Sequence, residues 1–192
     1  MTKPTCRVIA GPNGSGKTTF ATDFLPLYVD CQNFVNPDLL AKAFSPFNPD
    51  TAHLKAAKMT LELMDENIAA KRDFAFETTL SGRSYAVKLR KIKDAGYAVS
   101  MFYLWVPSTE LTIQRIKERV SQGGHDVPTR DVLRRFDRTL SNLFTLYRPL
   151  LDDLLFFDNS GKIPRLIFKD SGGETSIMDA PFYKRLTKDF PQ

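Results

Sequence analysis

Short runs of apolar residues alternate along this chain with longer segments in which apolar residues recur every three or four positions. The first pattern is typical of strands buried in a sheet, and the second of helices that bury one face. We predict strands at 7–10, around 28–31, at Phe74–Thr79, at Tyr97–Val106 and at Leu154–Ser160. We predict helices that start at Lys17 and Asn36, that run over about 51–71, 83–94 and 108–122, and that extend from Pro128 to near Pro149.

The strand at Tyr97–Val106 is apolar at almost every position, which indicates a strand covered on both faces of a parallel sheet. Strands that alternate with helices in this way predict a three-layer α/β fold around a mainly parallel sheet. Two short strands about Gly172 and Gly173 predict a C-terminal β-hairpin at about 163–180. We therefore expect one domain over 1–192, with ligand groups at the carboxyl ends of the strands.

A glycine-rich stretch, "GPNGSGKTT", lies between the first predicted strand and the first predicted helix. Its spacing fits the pattern G-x-x-x-x-G-K-[ST], in which backbone N–H groups and a helix N-terminus converge on nucleotide phosphates. A plain glycine turn is the alternative, but the strand before it and the helix after it favour ATP binding. The predicted nucleotide-binding residues are Gly11, Pro12, Asn13, Gly14, Ser15, Gly16, Lys17, Thr18 and Thr19.

Two side chains of this stretch have predicted roles in the P-loop NTPase/kinase fold that we expect. Lys17 would reach the β- and γ-phosphates of ATP, and the Thr18 hydroxyl would ligate Mg²⁺. Because Lys17 belongs to a loop, we expect its side chain to face solvent and to contribute little to the core. The predicted cofactors are therefore ATP and Mg²⁺.

Composition and charge narrow the class of protein. The chain has 192 residues, of which 42% are hydrophobic, and its net charge is +5. No apolar run is long enough to span a bilayer, and the two cysteines lack metal-ligand spacing, so we expect a cytoplasmic protein with reduced thiols. Basic residues are concentrated at 115–138 and 83–93. These patches could bind a polyanionic ligand; the alternative is that they are helix faces exposed to solvent.

Two acidic residues follow predicted strands and are candidate site residues. Asp38 falls in the first turn of the helix that Asn36 and Pro37 begin, where the helix dipole alone favours an acid. At that place a carboxylate can also take the proton of an acceptor hydroxyl. Glu77 ends the strand "FAFE", where it meets solvent, a ligand or the coordination shell of magnesium.

The helix at 108–122 carries Arg115 and Arg119 four residues apart, on one face. In small P-loop kinases such a helix is part of a lid that brings arginines to the transferring phosphoryl group; an ordinary amphipathic surface helix is the alternative. Gly123 and Gly124 provide a flexible joint, so we place the lid at about 108–130. The next helix aligns Arg130, Arg134 and Arg138 in one stripe.

The segments "GPNGSGKTT", "NPDLLA", "FETTLSGRS" and "GHDVPTRDVLRRFDRTLSNL" together resemble the zeta-toxin family of P-loop kinases, over roughly 5–160. Zeta toxins transfer the γ-phosphate of ATP to the sugar of UDP-N-acetylglucosamine. The resemblance implies that Asp38 is the catalytic base, that Glu77 and Thr79 contact the acceptor, and that Arg115 stabilises charge. A second family arginine has no direct match here, and its substitutes are His125, Arg119 and Arg130.

The resemblance also implies a small-molecule acceptor, such as a UDP-sugar, and an antitoxin protein as partners, with no membrane. A GTPase is disfavoured because N-K-x-D is absent, and an ABC-type motor because "LSGRS" follows an acidic strand instead of preceding one. A motor or regulatory ATPase and a polynucleotide or nucleoside kinase remain as alternatives, the latter because of the basic patches.

Overall fold

Seven strands form the central sheet in the computed structural model, which describes residues 3–29, 31–124, 126–188 and 190. In chain order they are β1 Thr5–Ala10, β2 Phe34–Val35, β3 Phe74–Thr78, β4 Ala98–Trp105, β5 Asp153–Asp158, β6 Arg165–Ser171 and β7 Glu174–Ile177.

The strand order across the sheet is β2-β3-β1-β4-β5-β6-β7. The first five strands are parallel, and β6 and β7 close one edge as an antiparallel hairpin. Strand β1 lies between β3 and β4, so that Val8 is opposite both Phe76 and Met101. The predicted α/β class, the mainly parallel sheet and the C-terminal hairpin are confirmed.

Helices α1 to α6 lie in the connections between the parallel strands, and α7 follows the C-terminal hairpin. They are α1 Lys17–Tyr28, α2 Pro37–Phe44, α3 His53–Ala69, α4 Ser84–Asp94, α5 Thr109–Ser121, α6 Thr129–Asn142 and α7 Ala180–Thr187. Shorter turns of other helix types lie at Pro49–Ala52, Leu143–Tyr147 and Arg148–Leu150. Within the described part of the chain, no helix combines the length and the apolar character that crossing a membrane requires.

The two faces of the sheet build two separate cores, because successive side chains of a strand point to opposite sides. On one face, Val8 packs in a cluster with residues of α3 and α4, the turn after α6, and α7. On the other face, Ile9 packs with Ala21 and Leu25 of α1 and with Phe102 of β4. Burial of β4 on both faces explains its continuous apolar sequence.

Capping residues in the sequence determine where α2 and α5 begin. Asn36 caps α2, because its side chain accepts the N–H groups of Asp38 and Leu39, and Pro37 occupies the first helical position. Ser108 caps α5 by accepting the N–H of Leu111. The predicted starts of both helices, including the place of Asp38 in the first turn of α2, are therefore confirmed.

Two sequence predictions differ from the structure, and one helix was not predicted. The second strand was expected around 28–31, but α1 continues to Tyr28 and β2 is a two-residue strand at Phe34–Val35. The helix from Pro128 was expected to reach Pro149, but the regular α-helix ends at Asn142. A π-helical turn and then a 3₁₀ turn follow it. Helix α7 was not predicted; Asp179 caps it by accepting the N–H of Phe182.

Phe156 lies at the centre of a stack of aromatic rings, so its truncation should destabilise the fold. It is fully buried, and its ring centroid lies 5.1 Å from that of Tyr103 and 5.0 Å from that of Phe168. We expect Phe156→Ala to lower the free energy of unfolding by about 3–5 kcal/mol, because the removed ring leaves a cavity. Urea unfolding measures this, with Phe47→Ala as the control because Phe47 is fully exposed. Equal midpoints for the two variants would contradict the prediction.

Candidate active site at the glycine-rich loop

The glycine-rich loop joins the end of β1 to the start of α1 at the carboxyl edge of the parallel strands. Gly16 precedes the helix in the left-handed backbone region with φ 86°, and no side chain caps the helix. The first N–H groups of α1 are thus available to an anion. At Gly14 a Cβ atom would lie 2.7 Å from the carbonyl oxygen of Thr112, so the start of α5 sits directly on this loop.

Glu77 at the carboxyl end of β3 connects the loop to α2. Its Oε2 atom accepts a 2.7 Å hydrogen bond from the Thr18 hydroxyl and a 2.8 Å hydrogen bond from the Asn36 side-chain amide. Its Oε1 atom lies 3.7 Å from Lys17 Nζ, and the side chain of Glu77 is only 12% exposed. A hydroxyl and a carboxylate in direct contact are the hard oxygen ligands that Mg²⁺ prefers.

Lys17 is buried, which corrects the expectation of a solvent-facing side chain. Its residue exposure is 5%, because Nζ folds back and donates a 2.8 Å hydrogen bond to the carbonyl oxygen of Pro12. Burial lowers the pKa of Lys17, while the nearby carboxylates of Glu77 and Asp38 oppose that shift and the Arg119 guanidinium adds to it. Three charged groups are therefore close enough to the loop to influence the Lys17 amine.

Asp38 projects from the first turn of α2, which Glu77 anchors through Asn36. The Asn36 amide group uses both ends: Oδ1 accepts N–H groups of α2, and Nδ2 donates to Glu77. Asp38 itself is half-buried. One buried asparagine thus fixes the helix that carries Asp38 relative to the strand that carries Glu77.

A cleft of about 600 Å³ opens beside the loop and brings together residues far apart in sequence. Its walls come from the loop, α1, α5 and the segment after β5. Among the charged and polar residues that line it are Lys17, Thr18, Asp23, Glu77, Arg115, Glu118, Arg119, Gln122, Asn159 and Lys162. Both arginines of α5 therefore face the glycine-rich loop instead of bulk solvent.

Asn159, which sequence reasoning missed, holds Arg115 and the loop together. Its side-chain amide donates a 2.6 Å hydrogen bond to the carbonyl oxygen of Ser15. Its own carbonyl oxygen accepts Arg115 Nη1 at 2.8 Å, and the carbonyl oxygen of Ser160 accepts Arg115 Nη2 at 3.0 Å. The sequence signal was weak, because an asparagine after a strand is common in turns.

Three further candidate residues, Asp38, Thr79 and Arg130, are not among the residues that line the cleft. Thr79 is half-buried, and its hydroxyl is 2.9 Å from that of Ser81. Arg130 is exposed in the first turn of α6 and is not among the residues that line the cleft. His125 lies outside the described residues. Of the substitutes proposed for the second family arginine, Arg119 is the one that the structure places at the loop.

A glycine-rich loop between the first strand and first helix, at the carboxyl edge of a mainly parallel sheet, defines a P-loop nucleotide-binding fold. The chain belongs to the zeta-toxin family: the family model described as Zeta toxin matches residues 1–180. The resemblance found in the sequence is thereby confirmed.

One protein sequence and several solved structures are also similar to this chain. An uncharacterized protein of Haemophilus influenzae is 33% identical over 118 residues, which cover 60% of this chain and 80% of that protein. The AvrRxo1-ORF1:AvrRxo1-ORF2 complex with sulphate ions has a TM-score of 0.76 at 19% identity, over 99% of this chain but only 65% of the solved one. The PezAT toxin-antitoxin system of Streptococcus pneumoniae has a TM-score of 0.67 at 15% identity, over 99% and 86%. These structures share the fold, and the present chain spans slightly less than two thirds of the AvrRxo1 chain.

The buried amine of Lys17 predicts a specific pH dependence of stability. Between its lowered pKa in the folded protein and its ordinary value of 10.5, the unfolded chain binds a proton that the folded protein does not. Stability from this group therefore rises with pH in that window. We expect wild type to gain stability relative to Lys17→Met as the pH rises from neutral towards 10.5. Urea unfolding of both proteins across this range measures the difference, and a constant or opposite difference would contradict the buried position.

Proposed function

We propose that this chain is a phosphotransferase that moves the γ-phosphate of ATP to a hydroxyl of a small nucleotide-linked acceptor, such as UDP-N-acetylglucosamine. The observation that carries the proposal is the convergence of a base, a cation and two arginines on one glycine-rich loop. Asp38 and Arg119 are close enough to shift the pKa of Lys17, and Arg115 shares a cleft with both Lys17 and Arg119.

The nucleotide would bind with its phosphates against the loop and the N-terminus of α1. Lys17 would exchange its hydrogen bond with Pro12 for the β- and γ-phosphates, because phosphate oxygens are charged acceptors and a carbonyl is not. The Thr18 hydroxyl and the Glu77 carboxylate would hold Mg²⁺. When bound, Mg²⁺ neutralises charge that develops on the phosphate oxygens.

Transfer requires a group that takes the proton of the acceptor. As the acceptor oxygen bonds to the γ-phosphorus, the bond from that phosphorus to the β–γ bridging oxygen breaks, and ADP leaves. Asp38 would take the hydroxyl proton, because its carboxylate is near the loop and its helix is fixed by Asn36. Arg115 and Arg119 would stabilise charge on the moving phosphoryl group.

The acceptor would lie on the side of the loop bounded by α2, the end of β3 and α6. Helix α6 is held there by Asn142, whose amide donates a 2.7 Å hydrogen bond to the carbonyl oxygen of Leu80. Glu77 and Thr79 border this region from β3 and the turn after it, and Arg130 stands at the start of α6. A nucleotide-linked acceptor is anionic, which agrees with the basic residues of α6.

A protein partner is part of the proposal. The solved neighbours named above are a two-component complex and a toxin-antitoxin system. We extend this to the present chain as an antitoxin that binds it.

One assay separates this function from its alternatives. ATP-dependent phosphate transfer would be measured across a panel of UDP-sugars, nucleosides and oligonucleotide ends. Transfer to a UDP-sugar supports the proposal, transfer to oligonucleotide ends supports a polynucleotide kinase, and ATP hydrolysis without transfer supports an ATPase.

Asp38→Asn should separate catalysis from nucleotide binding. We expect transfer to fall by roughly 10²–10⁴ because the base is lost, with ATP affinity unchanged. The loss of a favourable charge near the helix dipole should cost only about 0.3–1 kcal/mol of stability. Asp50→Asn is the matched control, since Asp50 also follows an Asn-Pro pair in the first turn of a helix and its side chain is 70% exposed. Undiminished transfer by folded Asp38→Asn protein would leave Asp38 as a helix-start residue only.

Arg115→Ala should act on the transition state more than on binding. We expect kcat to fall by roughly 10²–10³, as for the loss of one preorganised charge stabiliser, with ATP affinity nearly kept. Arg119→Ala should have a smaller effect. Steady-state kinetics and ATP titrations measure both, with Arg90→Ala on the exposed side of α4 as the control. Small and equal effects at 115 and 119 would identify α5 as an ordinary surface helix.

A further inference from the structure

The turn that follows β5 contacts three parts of the site through a single residue. The N–H of Asn159 donates a 2.8 Å hydrogen bond to the carbonyl oxygen of Trp105 at the end of β4. Its side-chain amide reaches Ser15 in the glycine-rich loop, and its carbonyl oxygen receives Arg115 from α5. Asn159 therefore joins the sheet, the loop and the lid helix.

Hydrogen bonds hold the shape of this turn, so the position of the turn determines the position of the side chain bound to it. Asp158, which is 9% exposed, accepts the N–H of Ser160 at 3.0 Å with Oδ1 and Arg165 Nη2 at 3.2 Å with Oδ2. The two carbonyl oxygens that hold Arg115 belong to consecutive residues of the turn, so they fix the guanidinium by two bonds at once. The orientation of Arg115 thus follows the orientation of the turn.

The contact between Asn159 and the loop is close and specific. A Cβ atom at Gly16 would lie 2.7 Å from Asn159 Nδ2, so the amide fills the space beside a glycine that has φ 86°. An amide hydrogen bond to a backbone carbonyl has a defined direction, which apolar contact alone does not provide. The amide therefore sets both the distance and the angle between the turn and the loop.

We propose that Asn159 is a positioning residue that fixes Arg115 relative to the phosphates held by the glycine-rich loop. This inference rests on the proposed phosphoryl transfer. Asn159 does not act on the phosphoryl group itself; it acts through Arg115. Because charge stabilisation depends on geometry within a fraction of an ångström, a loosened turn would weaken transition-state stabilisation more than nucleotide binding.

A merely structural asparagine would behave differently. Its loss would lower stability, and any effect on the site would be independent of Arg115. A positioning residue predicts coupling instead: once Arg115 is removed, the loss of the Asn159 amide has little left to disturb. A double-mutant cycle measures this difference directly.

The test uses the full chain with Mg²⁺, and it compares the affinity for ADP with that for ADP plus aluminium fluoride, which mimics the transferring phosphoryl group. The variants are Asn159→Ala, Arg115→Ala and the double variant. We expect Asn159→Ala to weaken binding of the mimic by about 3- to 10-fold, consistent with one lost hydrogen bond, and binding of ADP by less. In the Arg115→Ala background the same change should cost under about twofold.

Asn33→Ala is the matched control, because Asn33 also donates an amide hydrogen bond, of 2.8 Å, to a backbone carbonyl, that of Asp73 at the other end of β3. Its effect should be on thermal stability and should not couple to Arg115. Should Asn159→Ala fold poorly, Asn159→Leu retains a branched neutral side chain without the donor. The same cycle then applies to Asn159→Leu.

Independent, multiplying effects of the 159 and 115 variants, or no effect of Asn159→Ala, would overturn the inference. The inference would also be overturned if the wild-type protein bound ADP plus aluminium fluoride no more tightly than ADP alone. Failure of the proposed function is separate: it would be seen as tight binding of the mimic and coupling in the cycle, but no transfer to any acceptor of the panel.

Discussion

The carboxylate of Glu77 is the constraint on which the arrangement of the site depends. A carboxylate with 12% exposure must find donors within the protein, and Glu77 finds a hydroxyl and an amine at the start of α1 and an amide at the start of α2. Lys17 and Thr18 are the first two residues of α1, where the glycine-rich loop ends, and Asn36 caps α2. Strand β3 thereby sets the positions of the groups proposed to hold phosphate, metal and acceptor. A neutral residue at 77 would remove the ion-pair partner that lies 3.7 Å from the buried amine of Lys17.

Each charged side chain around the loop interacts with its immediate neighbours. The amine of Lys17 is opposed by two carboxylates and accompanied by Arg119, while Arg115 rests on backbone carbonyls. Carbonyl oxygens hold a guanidinium without neutralising it, so Arg115 keeps its full charge while its direction is fixed. Four basic residues line the cleft, Lys17, Arg115, Arg119 and Lys162, against three acidic ones, Asp23, Glu77 and Glu118.

Much of this arrangement could be predicted from the sequence, because the relevant patterns are local. The spacing of the glycines and Lys17 identifies the loop, the apolar run of β4 identifies a parallel sheet, and Asn36-Pro37 identifies the start of α2. The predictions failed where distant parts of the chain decide the outcome. Asn159 binds a carbonyl 144 residues earlier, β2 gains its short pairing only from β3, and the burial of Lys17 follows from contacts that no spacing reveals.

The central place of β1 has a consequence for how the chain folds. Cys6 pairs with Phe74 on one side and with Val99 on the other, so the first strand made is completed only by strands made much later. Contacts between segments so far apart in sequence carry a large loop-closure entropy, and folds dominated by them form slowly. During synthesis, one edge of β1 must stay unpaired until β3 has left the ribosome, and the other edge until β4 has. The parallel order that places the loop at the centre of the sheet therefore also leaves its strand exposed to misassociation for the longest time.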